Sequence, residues 1–259
     1  MTDDLIVDRQ GPVVWLTLNR PHARNAITRA MYDELVDVCH QVDLDRSVRA
    51  MVITGAGGQA FAAGSDINHF SAFANEKDAI EYETHGDYVM RTLESVRIPL
   101  IAAIAGPCTG GGAAIASCCD LRIGSPSARF GIPIARTLGN CLSLQSYTRL
   151  VGLLGLARTK DILMTARLLN AEEMLSAGLI TELVPEEELL TRAQALAELV
   201  ASHAPLTQQV TKQALRRVQG DLLADGSGSD LYLTCYLSRD FHEGVDAFLG
   251  KRQPAWIGE

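Results

Sequence analysis

Residues 99–116 are Pro99-Leu-Ile-Ala-Ala-Ile-Ala-Gly106-Pro-Cys-Thr-Gly110-Gly111-Gly112-Ala-Ala-Ile-Ala116, and this stretch decides the fold. The apolar run in its first half predicts a strand that is buried on both faces of a parallel sheet. Three glycines then open a helix of small residues. Glycines at that position leave backbone N–H groups free, let another atom approach closely, and lie at the positive end of the helix dipole. The pattern predicts a site that stabilises a developing negative charge.

A second segment has the same character. Ala60-Phe-Ala-Ala-Gly64-Ser65-Asp66-Ile67 also follows a predicted strand and a glycine-rich turn. Two N–H donors that converge on one oxygen form an oxyanion hole, which is what a thioester carbonyl needs when it becomes an enolate. The two segments are therefore predicted to supply the two halves of one oxyanion hole.

Composition predicts a globular protein with a large core. The chain has 259 residues, of which 47% are hydrophobic and 21% are charged, a size that fits one or two domains. The formal charge of -8 and the pI near 5.3 argue against a nucleic-acid partner. The start Met1-Thr-Asp-Asp4 does not resemble a signal peptide, and no apolar run reaches the roughly 18 residues of a membrane span. We therefore expect a cytoplasmic protein with no membrane partner.

The cysteines do not predict a disulfide framework or a metal site. Their spacing lacks the paired C-x-x-C motifs of zinc sites. We expect reduced and mostly buried thiols, and no bound metal. The cysteines are Cys39, Cys108, Cys118, Cys119, Cys141 and Cys235.

The order of strands and helices predicts an α/β fold. A hairpin is expected over 5–19, and Thr28 is expected to cap the first helix. Successive β-α-β units imply parallel pairing, right-handed crossovers and a site at the carboxyl ends of the strands. Buried strands are predicted over 48–54, 99–105 and 121–124, with a long helix over 74–96. Beyond about residue 150 helices are predicted over 155–165, 171–177, 186–203, 205–219 and 230–248, with a flexible link at 225–229.

These motifs together resemble the enoyl-CoA hydratase/isomerase family, the crotonase superfamily, along the whole chain. No single motif decides the matter, and it is their shared order that makes the resemblance strong. Besides the two glycine segments, the matching stretches are Leu18-Asn19-Arg20-Pro21, Asn25-Ala26, Ile53-Thr-Gly-Ala-Gly-Gly58, Phe130-Gly-Ile-Pro133 and Phe248-Leu-Gly-Lys-Arg-Gln-Pro254.

The resemblance implies a crotonase-like (ClpP-like) spiral of ββα units followed by a C-terminal helical region. Residues 1–200 would form the core with the CoA and oxyanion site, and 201–259 a helical trimerisation region. The implied partners are an acyl-CoA thioester and further copies of the chain, as a homotrimer or a dimer of trimers. No tightly bound cofactor is implied, because coenzyme A enters as part of the substrate.

The resemblance also assigns site residues. The main-chain N–H groups of Ser65 and Gly111 would bind the thioester oxygen. Simpler interpretations stay open: a role of Gly111 in close packing alone, capping of the next helix by Asp66, and an ordinary surface position for Lys251. A nucleophilic serine is disfavoured, because Gly64-Ser65-Asp66 lacks the G-x-S-x-G elbow. The residues implied to contact coenzyme A are Arg24, Ala62, Ala63, Asp66, Ile67, Phe248 and Lys251, of which Phe248 and Lys251 would be contributed across a subunit boundary.

The chain departs from the family at two positions. Hydratases of the family use one glutamate shortly after the triple glycine and another after the proline of the Phe-Gly-x-Pro stretch. Here those positions are Ala114 and Ile134, and neither side chain can transfer a proton.

Other polar residues near Ile134 are candidate replacements. Asn140 would bind substrate or water, Cys141 would act as a thiolate if a cation lowered its pKa, and Arg136 would hold a substrate carboxylate. The alternative for Asn140 is a helix cap. Weaker candidates are His85, Asp87 and Glu94, because a solvent-facing helix would have such residues anyway.

The sequence therefore predicts a lyase or isomerase of this family that acts on an acyl-CoA through an oxyanion-stabilised enolate by a non-standard reaction. Two alternatives stay open. One is a catalytically silent acyl-CoA-binding protein, and the other is an ordinary enoyl-CoA hydratase that uses other residues.

Overall fold

A computed structural model describes residues 3–72, 75–220, 233 and 236–256. Short 3-10 turns lie at Pro21–Ala23, Ile67–Ala72 and Glu186–Glu188. The described strands are β1 (Leu5–Gln10), β2 (Val13–Leu18), β3 (Ala50–Gly55), β4 (Leu100–Ile104), β5 (Pro107–Thr109), β6 (Leu121–Gly124), β7 (Arg129–Gly131), β8 (Leu169–Asn170) and β9 (Glu182–Leu183). The described helices are α1 (Arg29–Leu44), α2 (Glu76–Ser95), α3 (Gly111–Cys118), α4 (Ile134–Thr137), α5 (Leu144–Met164), α6 (Ala171–Ser176), α7 (Leu189–Ser202), α8 (Pro205–Gly220) and α9 (Arg239–Leu249).

Two sheets organise the chain. The larger has the order β1-β2-β3-β4-β6-β9 and is parallel except for the β1–β2 hairpin. The smaller has the order β5-β7-β8, and its strands β5 and β7 continue from the carboxyl ends of β4 and β6. The α/β fold class predicted from the sequence is confirmed. The smaller sheet is not predicted from the sequence, because strands of two or three residues are too short to show a hydrophobic period.

Helices cover both faces of the larger sheet. Met51 and Ile53 of β3 belong to a core cluster with residues of α1, α2 and α3, whereas Val52 belongs to a second cluster with α7. Alternate side chains of a strand point to opposite faces. Burial of both faces is the reason why β3 and β4 are continuous apolar runs without a polar alternation.

The structure corrects several predicted boundaries. The helix expected over 155–165 is α5, which begins already at Leu144, and Gly155 (φ 71°, ψ 159°) interrupts it with a non-helical residue. Of the last helix expected over 230–248, residues 233 and 236 are helical, 237–238 are not, and α9 begins at Arg239; residues 230–232 and 234–235 lie outside the described part of the chain. The predicted flexible link at 225–229 lies outside the described residues. Thr28 caps α1 as expected, because its side chain accepts a hydrogen bond from the Met31 N–H.

Two observations concern the predicted absence of a membrane span and the predicted state of the cysteines. Within the described ranges, no helix combines the length and the apolar character that a membrane crossing needs. The cysteines at 39, 108, 118, 119 and 141 are free and buried, and Cys235 lies outside the described part of the chain. The cytoplasmic location stays a prediction.

Candidate active site

Two backbone segments run side by side at the carboxyl ends of β3 and β4. Ala62 bridges to Cys108 of β5, through the bonds Ala62 N–H to Pro107 O (3.2 Å) and Thr109 N–H to Ala62 O (2.9 Å). On its other side the first segment pairs with residue 27, since Ile27 and Ser65 form a parallel bridge. This pairing fixes the position of residues 62–66 against the start of α3.

The N–H groups of Ser65 and Gly111 lie next to each other at this point. The Ser65 nitrogen is 3.3 Å from the position that a Cβ atom on Gly111 would take, and the Gly111 nitrogen is 3.9 Å from the corresponding position on Gly64. Among the described residues, neither N–H donates to a main-chain or side-chain acceptor. The structure thus brings both predicted donors together with their hydrogen-bonding capacity unused.

Glycine is required here for space as well. A Cβ on Gly111 would overlap with the Tyr32 hydroxyl and lie 2.9 Å from Ser65 Oγ. A Cβ on Gly112 would lie 2.6 Å from the Ala62 carbonyl oxygen. Close packing of α3 against residues 62–65 therefore accompanies the donor arrangement.

Three hydroxyl groups lie beside the paired amides. Tyr82 Oη donates to Ser65 Oγ at 3.1 Å, and Tyr32 Oη is 3.0 Å from the same Ser65 Oγ. Burial raises the pKa of Tyr32 to about 12, although its hydrogen bond with Ser65 opposes the change. Tyr32 thus stays a hydrogen-bond donor at neutral pH. Sequence reasoning missed both tyrosines, because only the tertiary fold brings α1 and α2 to residue 65.

Ala114 and Ile134, the two positions predicted to lack the family's glutamates, pack against the hydrophobic core. Ala114 is on α3 and Ile134 opens α4, and both side chains are partly buried against the main core cluster. Arg136 lies further along α4 and is exposed.

Asn140 and Cys141 lie in an aromatic cluster that also contains Tyr236 and Phe241. The alternative that Asn140 caps the following helix is wrong. Ser143 caps α5 instead, since its Oγ accepts from the Ser146 N–H at 3.1 Å. Asn140 Nδ2 lies 3.3 Å from Tyr236 Oη, while its Oδ1 is buried with no hydrogen-bond partner among the described residues. Arg136 is exposed and lies outside this cluster, so the structure does not group it with Asn140 and Cys141.

The weaker candidates on α2 are engaged in structural contacts. His85 bonds Asp33 of α1 at 2.7 Å, and Ser143 Oγ donates to Asp87 at 2.6 Å. Burial of the Asp87 carboxyl raises its pKa, and the bond from Ser143 opposes the rise.

Glu94 is paired with the buried Arg149, whose side chain is only 6% exposed. The expectation that α2 presents these groups to solvent is wrong, because this helix packs between α1 and α3. Because Glu94 is held in an ion pair with Arg149, it is a poor candidate for proton transfer.

One further residue of α2, Glu83, was not found by sequence reasoning. Its carboxylate accepts a hydrogen bond from Tyr236 Oη. Burial raises the pKa of Glu83 to about 7, the bond from Tyr236 lowers it, and the nearby Asp87 raises it. A carboxyl with a pKa near neutrality is suited to acid–base chemistry.

The residues implied to contact coenzyme A fall into two groups. Arg24 is exposed and its carbonyl accepts from the Ala63 N–H at 3.0 Å, so Arg24, Ala62 and Ala63 are neighbours. Phe248 and Lys251 lie apart from them, exposed at the end of α9.

Asp66 and Ile67 connect these groups, because α9 packs against the 3-10 turn that begins at Ile67. Burial acts to raise the pKa of Asp66, but hydrogen bonds from Arg20 and Asn68 outweigh it and lower the pKa. Its bond from the Asn68 N–H, at 3.2 Å, is the predicted capping interaction.

No metal centre is evident in the part of the chain that the structure describes. No group of three or more histidine, cysteine, aspartate or glutamate side chains is arranged there to hold an ion.

Comparison with known proteins agrees with this geometry. The sequence model of the enoyl-CoA hydratase/isomerase family matches residues 8–259. The chain belongs to the enoyl-CoA hydratase/isomerase family. The family resemblance inferred from the motifs is thus confirmed.

Three members of the family illustrate the similarity. The chain is 34% identical over 253 residues to the short-chain-enoyl-CoA hydratase of Clostridium acetobutylicum, covering 97% of this chain and 96% of the relative. It is 36% identical over 258 residues to the 2,3-dehydroadipyl-CoA hydratase of Escherichia coli, covering 98% and 99%. The crystal structure of an enoyl-CoA hydratase/isomerase from Pseudoalteromonas atlantica superposes with a TM-score of 0.84 at 30% identity, covering 98% of this chain and all of the other. The family contains hydratases, which are lyases, and isomerases.

Proposed function

We propose that this chain is an enzyme that converts an acyl-CoA thioester through an enolate whose oxygen is bound by the N–H groups of Ser65 and Gly111. The observation that supports the proposal best is the convergence of these two amides with no acceptor of their own among the described residues. Fixed donors aimed at a developing charge are among the largest contributions to enzymatic rate.

The chemistry follows from the thioester. When the α C–H bond breaks, the proton passes to a base and the electron pair moves onto the carbonyl oxygen. Two preorganised N–H donors and the N-terminus of α3 stabilise that negative charge better than they stabilise the neutral carbonyl. The site therefore lowers the free energy of the enolate relative to the bound substrate.

The expected reaction is not ordinary hydration. Addition of water across a conjugated thioester needs a group that activates water and a group that protonates the α-carbon. Ala114 and Ile134 occupy the positions where family hydratases have glutamates, and neither can do this work. A non-standard reaction of the same enolate is the function that this pocket supports.

Coenzyme A is proposed to bind where the exposed Arg24 and residues 62–67 meet, with Phe248 and Lys251 at the α9 end of a neighbouring subunit completing the site. Arg24 and Lys251 offer positive charge to CoA phosphates. Coenzyme A is thus part of the substrate and not a resident cofactor.

The proposed assembly is a homotrimer or a dimer of trimers, formed by the C-terminal helical region over 201–259. The apolar side chains of α8 support it: Leu206, Val210, Leu215 and Val218 are 60–73% exposed in the single chain. Exposed large apolar side chains concentrated on one helix are consistent with an interaction surface. Sedimentation equilibrium is expected to give three or six times the chain mass of 27.9 kDa, and a monomer would contradict the proposal.

The enolate is tested by hydrogen exchange at the α-carbon. The protein is incubated in deuterium oxide with a panel of saturated acyl-CoA thioesters that includes aliphatic, aromatic and dicarboxylic acyl groups. We expect deuterium uptake at the α-carbon of at least one of them, measured by mass spectrometry. Tight binding of a thioester without any exchange would instead identify a silent acyl-CoA-binding protein.

A further inference from the structure

The residues of the site leave one carboxyl unexplained. Glu83 is on α2, directly after Tyr82, whose hydroxyl donates to Ser65 Oγ. Its carboxylate accepts a hydrogen bond from Tyr236 Oη, and the Tyr236 ring lies 6.1 Å, centroid to centroid, from the ring of Tyr82. The charge of Glu83 also contributes to the raised pKa of Tyr32 and Tyr82. The proton that leaves an α-carbon needs a base in this region.

In the described part of the chain, Glu83 lacks the cationic partner that two other acidic groups of this region have. Asp66 pairs with Arg20 and Glu94 with Arg149, but across the described residues no arginine, lysine or histidine forms an ion pair with Glu83. The groups that face it are Asp87 on its own helix, Tyr32 from α1, Tyr82, and Tyr236 ahead of α9. The Glu83 side chain is partly buried, and holding a carboxylate there without a cation costs free energy, so the position is difficult to explain by stability alone.

We propose that the Glu83 carboxyl is the acid–base group of the acyl-CoA reaction, in place of the glutamates that are missing at 114 and 134. This inference rests on the proposed function. In the forward step the α C–H bond breaks, its proton goes to the Glu83 carboxylate, and the electron pair becomes the enolate held by Ser65 and Gly111. Return of the proton from the carboxylic acid to the enolate completes the exchange.

The surrounding hydrogen bonds fit both protonation states. With Glu83 ionised, Tyr236 Oη donates to it and accepts from Asn140 Nδ2. With Glu83 protonated, the acid can donate to Tyr236 Oη. Tyr236 can then donate to Asn140 Oδ1, after rotation of the amide, since that oxygen is buried without a partner among the described residues. A purely structural carboxylate would not need this second arrangement.

The pH dependence of α-deuterium exchange tests the proposal, with the thioester that exchanges fastest. Because the base form is required, the wild-type rate should rise with pH through a value near 7 and then level off. Glu83→Gln should lower the rate above that pH by about 10²-fold or more and remove the step in the profile. Glu81→Gln is the matched control, because Glu81 is exposed on the same helix.

A second variant separates titration of Glu83 from a structural role. Tyr236→Phe removes the hydrogen bond that lowers the Glu83 pKa, so the step should move to higher pH. Glu83→Asp keeps a carboxyl and should recover part of the rate lost in Glu83→Gln. Circular dichroism and thermal melting confirm that each variant is folded, and calorimetric titration with the same thioester separates binding from catalysis.

Two outcomes overturn the proposal. A folded Glu83→Gln variant that exchanges like the wild type, or that retains the step near pH 7, would assign the proton to another group and leave the oxyanion site intact. Absence of exchange in the wild type with every thioester would contradict the proposed enolate chemistry, and the role of Glu83 would fail together with the proposed function.

Discussion

Crotonyl-CoA hydration by this chain is expected to be at least about 10²-fold slower than by the short-chain-enoyl-CoA hydratase of Clostridium acetobutylicum in the same assay. Each positioned proton-transfer group contributes about 10²–10⁴-fold, and the proposed function takes Ala114 and Ile134 to stand where the family's hydratases have two such groups. Glu83 alone cannot both activate water and protonate the α-carbon in one step. The measurement is the loss of enoyl-thioester absorbance under saturating substrate.

The complementary variant restores both groups. Ala114→Glu with Ile134→Glu is expected to increase hydration if both carboxyls reach the substrate. The cost of burying two carboxylates in a pocket shaped for apolar side chains is several kcal/mol if they ionise unpaired, so thermal melting must accompany the assay. Hydration by the unaltered chain at a rate equal to that of the Clostridium enzyme would contradict our interpretation of positions 114 and 134.

Loss of the Gly111 N–H is expected to reduce α-proton exchange by about 10²–10³-fold, the usual effect of removing one oxyanion donor. Proline removes this N–H and is tolerated at the first position of a helix, which Gly111 occupies in α3. Any Cβ at this position would overlap with the Tyr32 hydroxyl, so both variants are made in a Tyr32→Phe background. The comparison is between Gly111→Pro and Gly111→Ala.

The alanine variant is the matched control. It introduces a Cβ at the same place but keeps the N–H, so it separates the donor from the space that glycine provides. Deuterium uptake by mass spectrometry is the readout, with circular dichroism as the check on folding. Equal exchange rates in the proline and alanine variants would show that the Gly111 N–H does not hold the enolate oxygen.

The sequence predicts those parts of the fold that follow from local patterns. The apolar runs of β3 and β4 predict buried parallel strands, and Thr28 predicts the start of α1. Both signals lie within a few residues of the structure that they specify. The close approach of the Gly64-Ser65 and Gly110-Gly111 segments is likewise predictable, since glycine itself marks such a position, and their role as backbone donors stays a proposal.

The remaining features depend on tertiary contacts. Strands β5, β7 and β8 are two or three residues long and exist because they pair with one another. Asn140 has the propensity of a cap, but Ser143 lies at the true helix start. Glu83 gave no signal in the sequence, because a glutamate on a long helix is ordinarily exposed. It becomes a candidate only when Tyr236, far along the chain, is packed against it.

The central claim is that the N–H groups of Ser65 and Gly111 hold the oxygen of an acyl-CoA thioester. The most direct test is isotope-edited infrared spectroscopy of the bound thioester carbonyl, with a carbonyl-labelled substrate and the proline and alanine variants of Gly111. We expect the carbonyl stretch to shift to lower frequency on binding to the wild type and to the alanine variant, and to shift markedly less in the proline variant. A bound thioester whose carbonyl stretch is the same as in water, or is shifted equally in all three proteins, would contradict the account.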